Sequence, residues 1–89
     1  MPTVIVPALL RQLTNGQDRV AVRGTNVRQV IEDLERQFPD IKPHLVEGGD
    51  LKSGINVSVD GEMGIGGLTD PVKENSEIYF LPAIGGGLK

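Results

Sequence analysis

The chain contains no cysteine, no tryptophan and a single histidine, His44. Without cysteine there are no disulfides, no thiolate metal sites and no thiol nucleophile. One histidine cannot build a histidine-clustered zinc site. The fold must therefore rest on its hydrophobic core alone. Aromatic residues are equally scarce: Phe38, Tyr79 and Phe80 are the whole set, too few for the stacking platforms that hold single-stranded nucleic acid. A basic excess is also missing. The net charge is −3, against the positively charged face expected of a nucleic-acid binder. No run approaches the roughly 18 apolar residues of a membrane span. The N-terminus lacks the charged, apolar and small-residue succession of a secretory signal. The expectation is a cytoplasmic protein with neither nucleic acid nor membrane as partner.

What is present suits one small domain, since 89 residues bury one core and not two. Thr3-Val4-Ile5-Val6 is β-branched and reads as a strand that Pro7 ends. Leu9, Leu10 and Leu13 follow as expected core residues. Asn15-Gly16 is a turn signal, and Arg19 to Arg23 alternates polar and apolar residues, so the first two strands should form a hairpin. Thr25 or Asn26 can cap a helix, with Gln29 placed as in a capping box. Val27, Val30, Ile31, Leu34 and Phe38 share one face at helical period. Asp33 and Glu35 fall on the opposite, solvent-facing side, Glu32 and Arg36 are spaced as an i,i+4 pair, and Pro39 stops the helix.

Residues 40–54 read as a loop with room for a short helical turn, and with Ile41, Leu45 and Val46 as core contacts. Ile55 to Val59 alternates cleanly as a strand, Asp60-Gly61 turns the chain, and Met63 and Ile65 suit a short partner strand. Glu77 to Leu81 is the last strand. The order strand, strand, helix, strand, short strand, strand gives a two-layer α+β arrangement. The most continuously apolar strand, the last, belongs beside the first, parallel and central. That is the β-grasp pattern of ubiquitin: a mixed sheet of about four to five strands on one main helix. The β-grasp domain spans 1–82, and 83–89 form a flexible glycine-rich C-terminal tail.

Catalytic groups are not evident. Glu47 and Asp50 lie in a loop, His44 has no tuned partner for acid–base work, and no serine sits in an elbow motif. Gly64-x-Gly66-Gly67 is not followed by the Lys-Ser or Lys-Thr of a phosphate-binding loop. The reading is a protein that catalyses nothing by itself, with no metal site and no bound cofactor. The unusual segment is Leu81-Pro82-Ala83-Ile84-Gly85-Gly86-Gly87. Three successive glycines pack nothing inside a fold, but at a terminus they make a thin tail that can thread into a partner's active site. A glycine carboxylate at its tip could be adenylated and then attacked by a sulfur nucleophile.

Val4-Ile5-Val6-Pro7, the helix from Thr25-Asn26-Val27 to Phe38-Pro39, Ile55 to Gly61, Gly66-Gly67-Leu68 and Glu77 to Ala83 before the glycines resemble the MoaD/ThiS family of ubiquitin-like sulfur carrier proteins. The likeness covers nearly the whole chain. The longer helix–strand loop and the Leu-Pro-Ala-Ile ending are more similar to the CysO-like carriers of cysteine synthesis than to molybdopterin synthase small subunits. The resemblance implies that the family's Gly-Gly falls on Gly86 and Gly87. Gly87 would be adenylated by a ubiquitin-activating-type adenylyltransferase, which uses ATP. The thiocarboxylate formed would then donate sulfur to a synthase, either cysteine-synthase-like or a molybdopterin synthase large subunit. Gly85, Ile84, Ala83 and Pro82 would thread the tail, and Phe80, Ile55 and Val57 would dock partners.

Leu88 and Lys89 depart from the family pattern, because with them attached Gly87 has no free carboxylate. A propeptide removed by a metalloprotease, a vector-derived remnant and a loss of carrier function are the three explanations. Two alternatives to a CysO-like carrier stay open: a molybdopterin synthase small subunit, and a ubiquitin-like protein modifier joined to target lysines.

Overall fold

A computed structural model describes residues 1–63 and 66–82. Seven strands and one α-helix make up its regular structure: β1 (Thr3–Ile5), β2 (Arg19–Ala21), α1 (Val27–Gln37), β3 (Val46–Glu47), β4 (Asp50–Leu51), β5 (Ile55–Val59), β6 (Glu62–Met63) and β7 (Glu77–Pro82). Five strands form one mixed sheet in the order β2-β1-β7-β5-β6, and β3-β4 is a separate small hairpin. β7 lies in the middle, parallel to β1 with Val4 beside Ile78, and antiparallel to β5 with Val57 beside Phe80. The fold is an α+β β-grasp, and the last strand occupies the central position that its apolar run suggests.

α1 covers one face of this sheet. Its buried stripe of Val27, Val30, Ile31 and Leu34 meets Val4, Val6, Val20, Val22, Val57, Ile78 and Phe80 from the sheet in one core. The helix starts where Asn26 caps it: the Asn26 side chain accepts the Gln29 amide at 2.9 Å. Gln29 Oε1 in turn accepts the Thr25 amide at 2.8 Å, a reciprocal cap displaced by one residue from the standard box. The Val27 amide, unsatisfied within the helix, donates to the Asp70 carbonyl at 3.0 Å. That bond ties the helix start to the loop before β7.

Several local expectations change. The β1–β2 connection is a 3-10 segment, Ala8–Thr14, in place of a two-residue hairpin turn. Asn15 and Gly16 do turn the chain, both at positive φ, with the Gln17 amide donating to the Thr14 carbonyl at 3.0 Å. This is a primed turn closing the 3-10 segment. Leu9 is thereby carried outward and is 75 % exposed, whereas Leu10 and Leu13 pack on the core. Asp33 is buried, not solvated. Arg36 pairs with Asp33, and Glu32 pairs with Lys42 at 2.6 Å, so the expected Glu32–Arg36 pair does not form. Within residues 40–54 the chain makes a 3-10 turn, Lys42–His44, and the β3-β4 hairpin. Ile41 and Leu45 are buried and Val46 is partly buried. Ile65 lies outside the described residues.

Candidate functional site

Because β1 and β7 run parallel and β5 runs against them, the end of β7 meets the end of β1 and the start of β5. Ile55 pairs with Pro82, and Pro82 closes β7. Ala83, Ile84, Gly85, Gly86, Gly87, Leu88 and Lys89, expected to thread, react or be trimmed, lie outside the described residues. What the fold establishes is where the chain leaves them: from the central strand, at one end of the sheet.

That end is built by short-range bonding. The Val6 amide donates to the Asp18 carbonyl at 2.9 Å, and Arg11 Nε donates to the Val6 carbonyl at 3.1 Å. These bonds fix the 3-10 segment beside the strand ends. Across the sheet, the Ile55 amide donates to the Lys52 carbonyl at 3.0 Å, which fixes the start of β5.

Alternation of side chains decides which residues a partner can touch. Val57 and Phe80 are opposite each other and both are 2 % exposed, so they belong to the core under α1 and offer no docking surface. Ile55, on the same face, is half-buried and packs against that core. The residues between them face the other way. Ile5 lies beside Tyr79, and Leu81, opposite Asn56, is 41 % exposed. Ile5, Tyr79 and Leu81 form an apolar strip on the open sheet face that leads to the end of β7. Exposed Leu9 lies on the 3-10 segment at the same end of the sheet. Arg19, beside Ile5 on β2, flanks the strip and reaches toward Glu77 at the start of β7, with Nη1 and Oε2 3.7 Å apart.

No catalytic constellation appears among the described residues. His44, Glu47 and Asp50 are exposed, and no group of three or more histidine, aspartate or glutamate side chains could hold a metal ion there. Three carboxyls titrate below their ordinary range, each for a structural reason. Burial pushes Asp33 upward, but bonds from Arg36, the Arg23 amide and Gln37 outweigh it. Glu35 accepts the backbone amides of Lys42 and Asp40. Asp60 accepts the Glu77 amide and the Ser76 hydroxyl. All three secure turns and edges of the fold. No helix among the described residues is long and apolar enough to cross a membrane.

A model of the ThiS family matches residues 4–87. The chain belongs to the ThiS family. Among curated relatives, the sulfur carrier protein CysO of Mycobacterium tuberculosis is 33 % identical, with 96 % of this chain and 97 % of the relative covered. Among solved structures, the CysO-containing BexX/CysO complex of Amycolatopsis orientalis gives a TM-score of 0.90 at 36 % identity, covering 93 % of this chain and 96 % of that one. Small archaeal modifier protein 1 of Methanosarcina acetivorans gives 0.81 at 28 % identity, covering 97 % and 95 %. Within the ThiS family, then, CysO proteins are among the near relatives, in agreement with the leaning drawn from the loop and the tail. Leu88 and Lys89 fall beyond the family match.

Proposed function

We propose that this chain is a cytoplasmic sulfur carrier of the CysO kind, a protein co-substrate and not an enzyme. Once Leu88 and Lys89 are removed, for which a metalloprotease is the fitting activity, Gly87 ends the chain as a free carboxylate. A ubiquitin-activating-type adenylyltransferase transfers AMP from ATP to that carboxylate and releases pyrophosphate. A sulfur nucleophile then displaces AMP to leave a thiocarboxylate. A synthase of the cysteine-forming type bonds that sulfur to its substrate as a thioester, and water then cleaves the acyl C–S bond, leaving the sulfur on the product and restoring the Gly87 carboxylate.

The observation that carries this reading is the family match ending at Gly87, on a chain whose central strand delivers that tail at one end of the sheet. Glycine suits the reacting position because a side chain would crowd both the channel and the attacked carbonyl. The strip of Ile5, Tyr79 and Leu81 beside the exit is the surface through which partners would grip the carrier, in place of Phe80 and Val57.

The test is the intact mass of the untagged protein from its own host. Loss of Leu88 and Lys89, followed by a shift equal to one oxygen exchanged for one sulfur, is the expected result. Full-length mass in the presence of the activating enzyme and protease would overturn the proposal. The likeness to small archaeal modifier protein 1 favours one second reading, an isopeptide link from Gly87 to lysines of target proteins. It would show in the same host as conjugates that disappear in Gly87→Ala.

A further inference from the structure

Among the described residues β2 is an edge strand, with β1 on one side and no strand on the other. Its bonds to β1 run through every second residue: Val20 lies opposite Val4, the Val22 amide donates to the Pro2 carbonyl and the Val6 amide to the Asp18 carbonyl, each at 2.9 Å. In an antiparallel pair the intervening residues turn their backbone groups the other way. The amides and carbonyls of Arg19, Ala21 and Arg23 therefore point outward, along an edge where Ala21 and Arg19 are exposed. Such a row of free groups is a template for another strand.

Two of these outward groups are already taken, and the partners come from α1. The Arg23 amide donates to Asp33 Oδ2 at 3.1 Å. Gln37 Nε2 donates to the Ala21 carbonyl at 3.0 Å and also to Asp33 Oδ2 at 3.0 Å. Arg36 pairs with the other Asp33 oxygen. An acceptor and a donor side by side, one for an amide and one for the carbonyl two residues earlier, are what the backbone of a neighbouring strand would present. Asp33 is 7 % exposed, an unusual burial for a carboxylate, and these contacts account for it.

We infer that Asp33 and Gln37 stand in for a missing sixth strand and close the β2 edge against a second copy of this chain. A two-fold antiparallel pairing of β2 with β2 can centre on Ala21 or on Val20. The first sets Arg19 against the partner's Arg23, a like-charge pair that disfavours it. The second sets Arg19 against the partner's Ala21 and carries no such repulsion, so it is the arrangement the helix must block. Both need the Ala21 carbonyl, the group Gln37 holds. Ala21 has a small side chain and offers no steric guard of its own.

The experiment is sedimentation of the full chain from about 10 µM to about 1 mM, with wild type beside Asp33→Ala/Gln37→Ala. Wild type stays at one monomer mass. The double variant dimerises within that range, at least about tenfold more tightly than any self-association of wild type, since the Ala21 carbonyl of each copy regains a strand partner. Adding Ala21→Pro, which deletes an outward amide and none of the bonds to β1, returns it to monomer. Should the double variant fail to fold, Gln37→Glu serves instead. It changes an exposed residue in the last helical turn, cannot donate to the Ala21 carbonyl and repels Asp33. A folded open-edge variant that stays monomeric throughout, a dimer indifferent to Ala21→Pro, or a wild type already paired through β2 would each overturn the inference.

Discussion

Replacing Phe80 by alanine tests which face of β7 belongs to the core and which to partners. Phe80 is 2 % exposed and lies opposite Val57 beneath α1. Truncating a buried phenylalanine costs about 3–5 kcal/mol, the lost transfer free energy plus a cavity. A domain of 89 residues holds roughly 4–13 kcal/mol in total, at about 0.05–0.15 kcal/mol per residue. The substitution therefore removes a large part of the stability. At about 4–8 °C per kcal/mol for a chain of this size, the midpoint falls by at least about 12 °C. Leu81, the next residue, faces the open side and is 41 % exposed. Its truncation is expected to cost no more than about 1 kcal/mol, so the midpoint moves by less than about 8 °C. Thermal melts followed by far-ultraviolet circular dichroism give both midpoints. The activating enzyme's kinetics with each variant add the second half: Leu81→Ala raises KM while remaining folded. A Phe80→Ala protein that melts within a few degrees of wild type but no longer serves its partner would refute the assignment of faces.

Two further outcomes follow from the hydrogen bonds. Asn26→Ala removes the acceptor for the Gln29 amide and should cost about 1 kcal/mol, while Asn26→Ser stays within a few tenths; thermal melts separate the two, and equal midpoints would show that the cap contributes nothing. Asp33, Glu35 and Asp60 all titrate below their ordinary values of 3.8, 4.5 and 3.8. As pH falls toward those values the unfolded chain binds more protons than the folded one, so the contribution present at neutral pH is lost progressively below about pH 4. Asp60→Asn, which tolerates the positive φ of that turn, should flatten the loss. Urea midpoints at neutral pH, pH 4 and pH 3 measure it, and an acid limb as steep in the variant as in wild type would count against the Asp60 contribution.

Much of this architecture is legible in the residues. The helix follows from an apolar stripe of period 3.6 with a cap before it and Pro39 after it. β5 follows from strict alternation over Ile55–Val59. The central place of β7 follows from its continuous apolar run. That same continuity hides which face is which. Ile78-Tyr79-Phe80-Leu81 has no polar residue to mark an outside, so only the register against β5, Val57 beside Phe80, decides that Phe80 is core and Tyr79 is not. Asp33 was unreadable for a different reason. Its burial depends on Arg23, ten residues earlier and just past the end of β2, and helical periodicity carries no information about a strand edge lying alongside. Leu9 looks like a core residue until the β1–β2 connection winds into a 3-10 segment that turns it outward.

The parallel pairing of the first strand with the last has a mechanical consequence. On the proposed function, a pull directed along β7 from its end at Pro82 would load the strand along its own axis. Backbone bonds to β1 and β5 lie across that axis on both sides, so the strand is loaded in shear and the bonds resist together. A hairpin pulled apart at its open end would instead unzip one bond at a time. The end of β7 at Pro82 thus belongs to a strand bonded on both sides, and a load applied there is shared by both sets of bonds.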